Sequence, residues 1–154
     1  MNRSLSLRAA IAAGLAFACV VAVHAEDTPV RFPSGYAKGV HYATINRGDT
    51  REELFTSREA VDALKAGKPL PSGTVITMED YRSDVLFRYV VLEKRIGWST
   101  LHPPGLRTGD WEFQWFNPDR TVKTSENLDR CRSCHVSQAS QDYLFTSDRI
   151  RSVP

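Results

Sequence analysis

Three residues near the end of the chain, Cys131, Cys134 and His135, have the types and the spacing that attach haem to a protein. In a Cys-x-x-Cys-His pattern the two thiols add to the two vinyl groups of the porphyrin, and the histidine after the second cysteine reaches the iron. A neutral imidazole nitrogen is a good iron ligand. The motif therefore predicts one covalently attached haem c per chain, with His135 as the metal ligand.

Other chemistry is open to two closely spaced cysteines. A disulfide between Cys131 and Cys134 would close a very small loop and would constrain little of the chain. The same spacing occurs in redox-active dithiols. A structural zinc site would need four protein ligands, and His41 and His102 are isolated in the sequence. His135, placed directly after Cys134, favours haem over these alternatives.

Residues 1–25 have the layout of a secretory signal peptide. Arg3 and Arg8 precede an apolar run over 9–23, and small residues surround a cleavage point after Ala25. The run is shorter than the ~20 apolar residues of a typical span, so a membrane anchor is the weaker alternative. A lipoprotein cleaved before Cys19 is a second alternative. We therefore predict an exported, periplasmic protein with one domain, 26–154, and no membrane span after cleavage.

The charge of the chain excludes some classes of partner. The 154 residues carry a formal net charge of +2, and no block of basic residues stands out. Binding to nucleic acid or to an anionic membrane surface is therefore not indicated. The predicted partners are a small ligand of the haem and a redox partner protein.

Apolar patterning predicts several strands and one helix before the haem motif. The helix covers 57–66, with Thr56 as its N-cap and Glu59 completing a capping box. Residues 85–94 are typical of a central strand because both faces are apolar, with Phe87 on the same face as Tyr89. Further strands are predicted at 39–46, 74–79, 110–116 and 121–123, and a helix at 131–140. The pattern predicts an α+β fold with an antiparallel β-sheet and a few helices.

The order of these features resembles the cytochrome P460 family, which includes the cytochromes c′-beta. The matching segments are Pro33-x-x-Tyr36, residues 54–73, Gly109-Asp110-Trp111-Glu112-Phe113, the haem motif and Asp142-Tyr143-Leu144-Phe145-Thr146. The resemblance implies that the sheet packs over one haem c whose iron has five ligands, with His135 on the proximal side. The open distal side would bind small nitrogen compounds. Members of the family often form dimers, so a homodimer stays open.

Met78 marks a departure from part of that family. Cytochromes P460 proper oxidise hydroxylamine and carry a bond from a lysine to the haem rim, whereas the c′-beta members lack the bond and bind nitric oxide behind an apolar wall. Met78 stands where the lysine would be, and no lysine lies between Lys68 and Lys94. Met78 could fill space at the haem edge, line a ligand pocket, or ligate the iron.

Several other side chains are candidates for the haem site. Arg149, after the tail motif, could approach the haem propionates or the proximal side, and an ordinary surface position is the alternative. His102 could reach over the iron from its loop, although a solvated histidine is expected there. Glu79 and Glu93 could carry protons, although both are expected to be exposed charges at strand ends. Three aromatic residues are expected to pack in the core or against the haem: Trp111, Phe113 and Trp115.

These observations predict a small-ligand haem protein with a redox role, binding nitric oxide or a similar molecule at a five-coordinate iron. A six-coordinate His/Met electron carrier is the first alternative, with Met78 as the second axial ligand. Hydroxylamine oxidation is the third hypothesis. Met78, at the position of the cross-linking lysine, counts against it, so the sequence leaves open whether the protein is an enzyme.

Overall fold

A computed structural model describes residues 29–154 of the chain. This part contains one antiparallel sheet of five strands, each paired with its neighbours in chain order. The strands are β1 (Val40–Arg47), β2 (Thr50–Thr56), β3 (Val75–Arg82), β4 (Val85–Lys94) and β5 (Trp111–Phe116). The predicted α+β class with an antiparallel sheet is confirmed. The proposed signal peptide, 1–25, lies outside the described residues.

Three short α-helices accompany the sheet within residues 29–154. They are α1 (Arg58–Lys65), α2 (Asp129–His135) and α3 (Ser147–Arg151), and 3₁₀ turns cover Tyr36–Lys38, Trp98–Thr100, Pro104–Leu106 and Val136–Gln141. The helix predicted over 131–140 is thus an α-helix that ends at His135 and continues as a 3₁₀ segment. In this part of the chain no helix has the length and apolar character needed to cross a bilayer.

Strand β2 was not predicted from the apolar pattern of the sequence. Its run Thr-Arg-Glu-Glu-Leu-Phe-Thr contains three consecutive charged residues, yet Thr50, Glu52, Leu54 and Thr56 are buried in alternation. Because β2 precedes α1, the helix lies between the second and third strands rather than between the first two. The segment predicted as a strand at 121–123 forms only one bridge, from Val122 to Phe116.

The start of α1 differs by one residue from the prediction. Ser57 is the N-cap, and its hydroxyl accepts a hydrogen bond from the backbone N–H of Ala60 at 3.2 Å. Thr56 belongs to β2 instead, and its hydroxyl donates to the carbonyl of Val75 at 2.9 Å. The predicted Thr56 cap is therefore wrong. The adjacent Ser57 can do the same chemistry, because serine and threonine are both favoured N-caps.

Both faces of the sheet are covered, as predicted for β4. Val90 and Leu92 belong to the main core, whereas Tyr89 and Val91 pack in a second cluster on the other face. A β-bulge interrupts this alternation, since Asp80 pairs with Arg88 and Tyr81 with Leu86. Residue 87 is the extra one. A bulge shifts the side-chain alternation, so Phe87 lies on the Val90 face rather than with Tyr89.

Candidate haem-binding site

The two cysteines of the motif lie one helical turn apart on α2, so they project from the same side of the helix. Both are free thiols; Cys131 is half-buried and Cys134 is exposed. Burial raises the pKa of the Cys131 thiol, which keeps it protonated and apolar in character. The pair is therefore not bridged to itself and offers two sulfur atoms to one side of the helix.

His135 ends α2 with its ring in a defined orientation. Its Nδ1–H donates to the backbone carbonyl of Tyr143 at 2.6 Å. Burial lowers the pKa of His135, and the bond to the Tyr143 carbonyl opposes that shift. The neutral ring with its proton on Nδ1 leaves the Nε2 lone pair available, and this is the form in which histidine ligates a metal.

A large open cleft lies in front of His135. It consists of two adjoining cavities of about 420 Å³ and about 620 Å³. The cavities share six lining residues: Glu52, Met78, Val90, Cys134, His135 and Phe145. Strands β2, β3 and β4 provide the wall opposite α2, so the sheet and the motif helix enclose the cleft between them.

The walls of the cleft are mainly apolar. Leu54, Ile76 and Leu92 come from the sheet, and Leu144 comes from the C-terminal segment. Two rings flank the imidazole of His135, with centroid distances of 4.8 Å for Phe113 and 5.0 Å for Phe145. A cavity of this size and lining is suited to a large, flat, apolar cofactor.

Two large apolar side chains on the cleft are unusually exposed. Phe87 is 46% exposed and Phe145 is 59% exposed, and both line the larger cavity. Apolar surface of this kind is normally covered by a partner or a ligand. Three arginines line the same cavity and could pair with carboxylates at the edge of a bound group: Arg82, Arg88 and Arg130. Together with two free thiols and an available Nε2, these residues fit haem c.

The alternative of a zinc site is not supported. Within residues 29–154, no three His, Cys, Asp or Glu side chains come together as metal ligands. His102 lies in the loop before β5, and His41 lies on β1 with its Nε2 2.7 Å from the Glu53 carboxylate. Neither lines the cleft beside His135.

Comparison with known families gives a match that covers most of the sequence. Residues 33–146 match the family described as Cytochrome P460. This chain belongs to the cytochrome P460 family. The family membership implies a haem cofactor, and it confirms the resemblance inferred from the motifs. No curated protein matched the sequence.

Within this cytochrome P460 fold, Met78 lies beside the predicted haem-binding residues. It is partly buried, packs against the main core, and lines both cavities with His135. Arg149 lies elsewhere, in an exposed depression with His41, Tyr42 and Asp148. The structure thus brings together Cys131, Cys134, His135 and Met78, and it does not bring Arg149 to them.

The expected surroundings of His102 were wrong. The side chain is only 16% exposed, and its Nε2 lies 2.6 Å from the carboxylate of Glu112. Glu112 is itself 1% exposed and accepts a second bond from Arg132 at 3.0 Å. His102 is thus part of a buried network under α2, and it is neither solvated nor placed over the cleft.

The two proposed proton carriers both face away from the cleft. Glu79 accepts hydrogen bonds from the hydroxyls of Tyr36 and Tyr81. Glu93 is 7% exposed and pairs with Arg95 at 2.5 Å, so the expected exposed strand-end charge is wrong for Glu93. Two other carboxylates line the cleft, Glu52 of β2 in both cavities and Glu126 in the larger one, and the sequence pattern predicted neither of them. The run Thr-Arg-Glu-Glu-Leu-Phe-Thr of β2 has no alternation of polar and apolar residues, so the sequence offers no signal for the position of Glu52.

Proposed function

We propose that this protein is an exported, single-haem c-type cytochrome that binds a small ligand such as nitric oxide at a five-coordinate iron and has a redox role. Haem attached through Cys131 and Cys134 would supply an iron centre that can change oxidation state and bind diatomic ligands. The carrying observation is the cleft itself, which His135 lines together with mainly apolar side chains of the sheet while its Nδ1 is bonded to the Tyr143 carbonyl.

The wall opposite His135 favours an open sixth position. Ile76, Val90 and Leu92 have no atom that can bond to iron, and Met78 is the one soft potential ligand among the described strand residues that line both cavities. An apolar distal surface discriminates against charged and strongly hydrated molecules, because they lose water without gaining hydrogen bonds. Nitric oxide is small and uncharged, so it suits this environment.

Glu52 adds one polar group to that wall. It is 8% exposed, lies on β2, and pairs with the exposed Arg47 at the rim of the smaller cavity. The ion pair satisfies part of its charge while leaving the carboxylate next to the cleft. Of the two described carboxylates that line the cleft, Glu52 and Glu126, only Glu52 lines both cavities, so it is the one best placed to exchange protons with a ligand if the bound molecule is reduced or oxidised.

Two alternative functions are electron transfer, with Met78 as an iron ligand, and oxidation of hydroxylamine. Met78 lines both cavities, so its sulfur could ligate the iron and produce a six-coordinate electron carrier. Hydroxylamine oxidation of the P460 type would be expected to use a lysine bonded to the haem rim. Among the residues of 29–154 that line the two cavities, none is a lysine. This counts against the third hypothesis.

Optical and resonance Raman spectra of the ferrous protein test the proposal. We expect a high-spin, five-coordinate spectrum that changes when nitric oxide is added. Met78→Ala should leave the spin state unchanged, as should Val90→Ala, a matched control at the cross-strand partner of Met78. A low-spin spectrum with a methionine–iron charge-transfer band that only Met78→Ala removes would establish the electron carrier instead.

Two further measurements separate the remaining hypotheses. A pyridine haemochrome assay should report covalent haem, and its absence would refute all three functions. Turnover of hydroxylamine with an added electron acceptor would favour the enzyme.

Export has a separate test. We expect periplasmic protein whose N-terminus, read by mass spectrometry, is Glu26. A redox partner protein is part of the proposal and can be sought by crosslinking, and light scattering distinguishes a monomer from a possible homodimer.

A further inference from the structure

The chain makes a strained corner directly behind the proximal histidine. Asp142 and Tyr143 are consecutive non-glycine residues with positive φ, at 54° and 60°. Residues other than glycine are disfavoured in this region, so two in succession persist only where other contacts fix them. The corner presents the carbonyl of Tyr143 to Nδ1 of His135 at 2.6 Å.

An ion pair from the sheet fixes the first residue of the corner. The Nζ of Lys94, at the end of β4, lies 2.6 Å from Oδ2 of Asp142. The side chains are only 14% and 30% exposed, so solvent screens this pair less than a surface pair. Two backbone hydrogen bonds hold Lys94 in place. Its N–H donates to the carbonyl of Thr74, and its carbonyl accepts from the N–H of Gly73.

The second residue of the corner, Tyr143, is held by close packing of its ring against Gly109. A Cβ atom at Gly109 would lie 2.7 Å from Cε2 of the Tyr143 ring, so only glycine leaves room for that ring. The backbone N–H of Tyr143 also donates to Gln138 at 2.8 Å. The position of the Tyr143 carbonyl is therefore set by β4 and by the segment before β5, and not by the motif helix alone.

We propose that Lys94 is a positioning residue that sets the strength of the bond between His135 and the haem iron. The inference rests on the proposed function, since it requires haem at His135. A short hydrogen bond from Nδ1–H to a carbonyl makes the imidazole a stronger electron donor through Nε2. Loss of the Lys94–Asp142 pair would release the corner, lengthen that hydrogen bond and weaken donation to the iron.

The test uses the full haem-loaded protein with Lys94→Met and Asp142→Asn. Asparagine tolerates positive φ, so the second variant removes the charge without adding backbone strain of its own. We expect the iron–histidine stretching band of the ferrous protein to shift to lower frequency in both variants. The double variant should resemble either single variant, and Lys94→Arg should restore part of the shift.

Lys65→Met is the matched control, because Lys65 is exposed at the end of α1. It should leave the stretching band unchanged. A wild-type stretching frequency in both Lys94→Met and Asp142→Asn, with haem attached, would overturn the inference and leave the proposed function standing. If wild-type protein carries no covalent haem, the proposed function fails first.

Discussion

Cys131 and Cys134 lie one helical turn apart, but their side chains differ in burial. Cys131 packs against the main core, and burial raises the pKa of its thiol, whereas Cys134 is exposed. The thiolate is the reactive form of cysteine, so a raised pKa and reduced access both slow attack on added reagents. The two sulfurs are therefore chemically distinct before any haem is attached.

We predict that iodoacetamide modifies Cys134 faster than Cys131 in haem-free protein. The difference should narrow as the pH is raised beyond the ordinary thiol pKa of about 8.5, because more Cys131 is then ionised. Peptide mass spectrometry after timed alkylation measures both rates, and denatured protein is the control in which they should converge. Faster modification of Cys131 at neutral pH would contradict the assigned environments.

At the scale of elements, a buried charge network joins the motif helix to the sheet. Arg132, between the two cysteines on α2, is fully buried and bonds to Glu112 of β5 and to Asp129. Glu112 also bonds to His102. A buried guanidinium needs its counter-charge, because desolvation without a partner is costly. Docking of α2 against β5 thus depends on Glu112.

Glu112→Gln should lower the free energy of unfolding by about 3–5 kcal/mol, since it leaves the Arg132 charge buried without its carboxylate on β5. Urea unfolding of the wild type and the variant measures the change. Glu126→Gln is the control, because Glu126 is 26% exposed and its ion pairs with Arg88 and Lys123 are long, at 3.8 and 3.9 Å. It should cost less than ~1 kcal/mol. Equal losses would argue against the network.

The elements differ in how well the sequence predicts them. Strand β4 has the predicted bounds, because a ten-residue segment with apolar side chains on both faces is typical of a strand that is covered on both sides. Strand β2 was missed because Arg51, Glu52 and Glu53 resemble a solvated segment. The buried position of Glu52 depends on its pairing with the neighbouring strands and with Arg47, and these contacts are not local.

At the scale of the whole molecule, the cleft divides the domain into a sheet wall and a wall of α2 with the C-terminal segment. Phe87 and Phe145 leave much apolar surface at the opening. If haem covers these rings, the protein without haem should expose a hydrophobic site that the loaded protein lacks.

We predict that the Cys131→Ser/Cys134→Ser variant, prepared without haem, increases the fluorescence of 8-anilinonaphthalene-1-sulfonate, whereas the haem-loaded wild type does not. Phe145→Ser in that background should reduce the signal, because it removes part of the exposed wall. Ile96→Ser is the control: Ile96 is 83% exposed but does not line the cleft. A signal that responds only to Ile96→Ser would place the exposed site elsewhere.

The sequence by itself determined the haem motif, the family and the antiparallel α+β class. These follow from residues that are adjacent in the chain, from periodic patterning and from the order of short motifs, all of which are local or linear properties. The haem motif can be recognised without the fold, because the spacing of Cys131, Cys134 and His135 is sufficient to predict attachment.

Only the tertiary structure decided how His135 is oriented, which carboxylates line the cleft and which basic residues approach it. The Tyr143 carbonyl fixes the His135 tautomer, Glu52 and Glu126 line the cleft in place of Glu79 and Glu93, and Arg149 lies in a different depression. Each outcome depends on strand register or on a contact between distant segments. A shift of one residue in register moves a side chain to the opposite face, so chain order alone does not specify these positions.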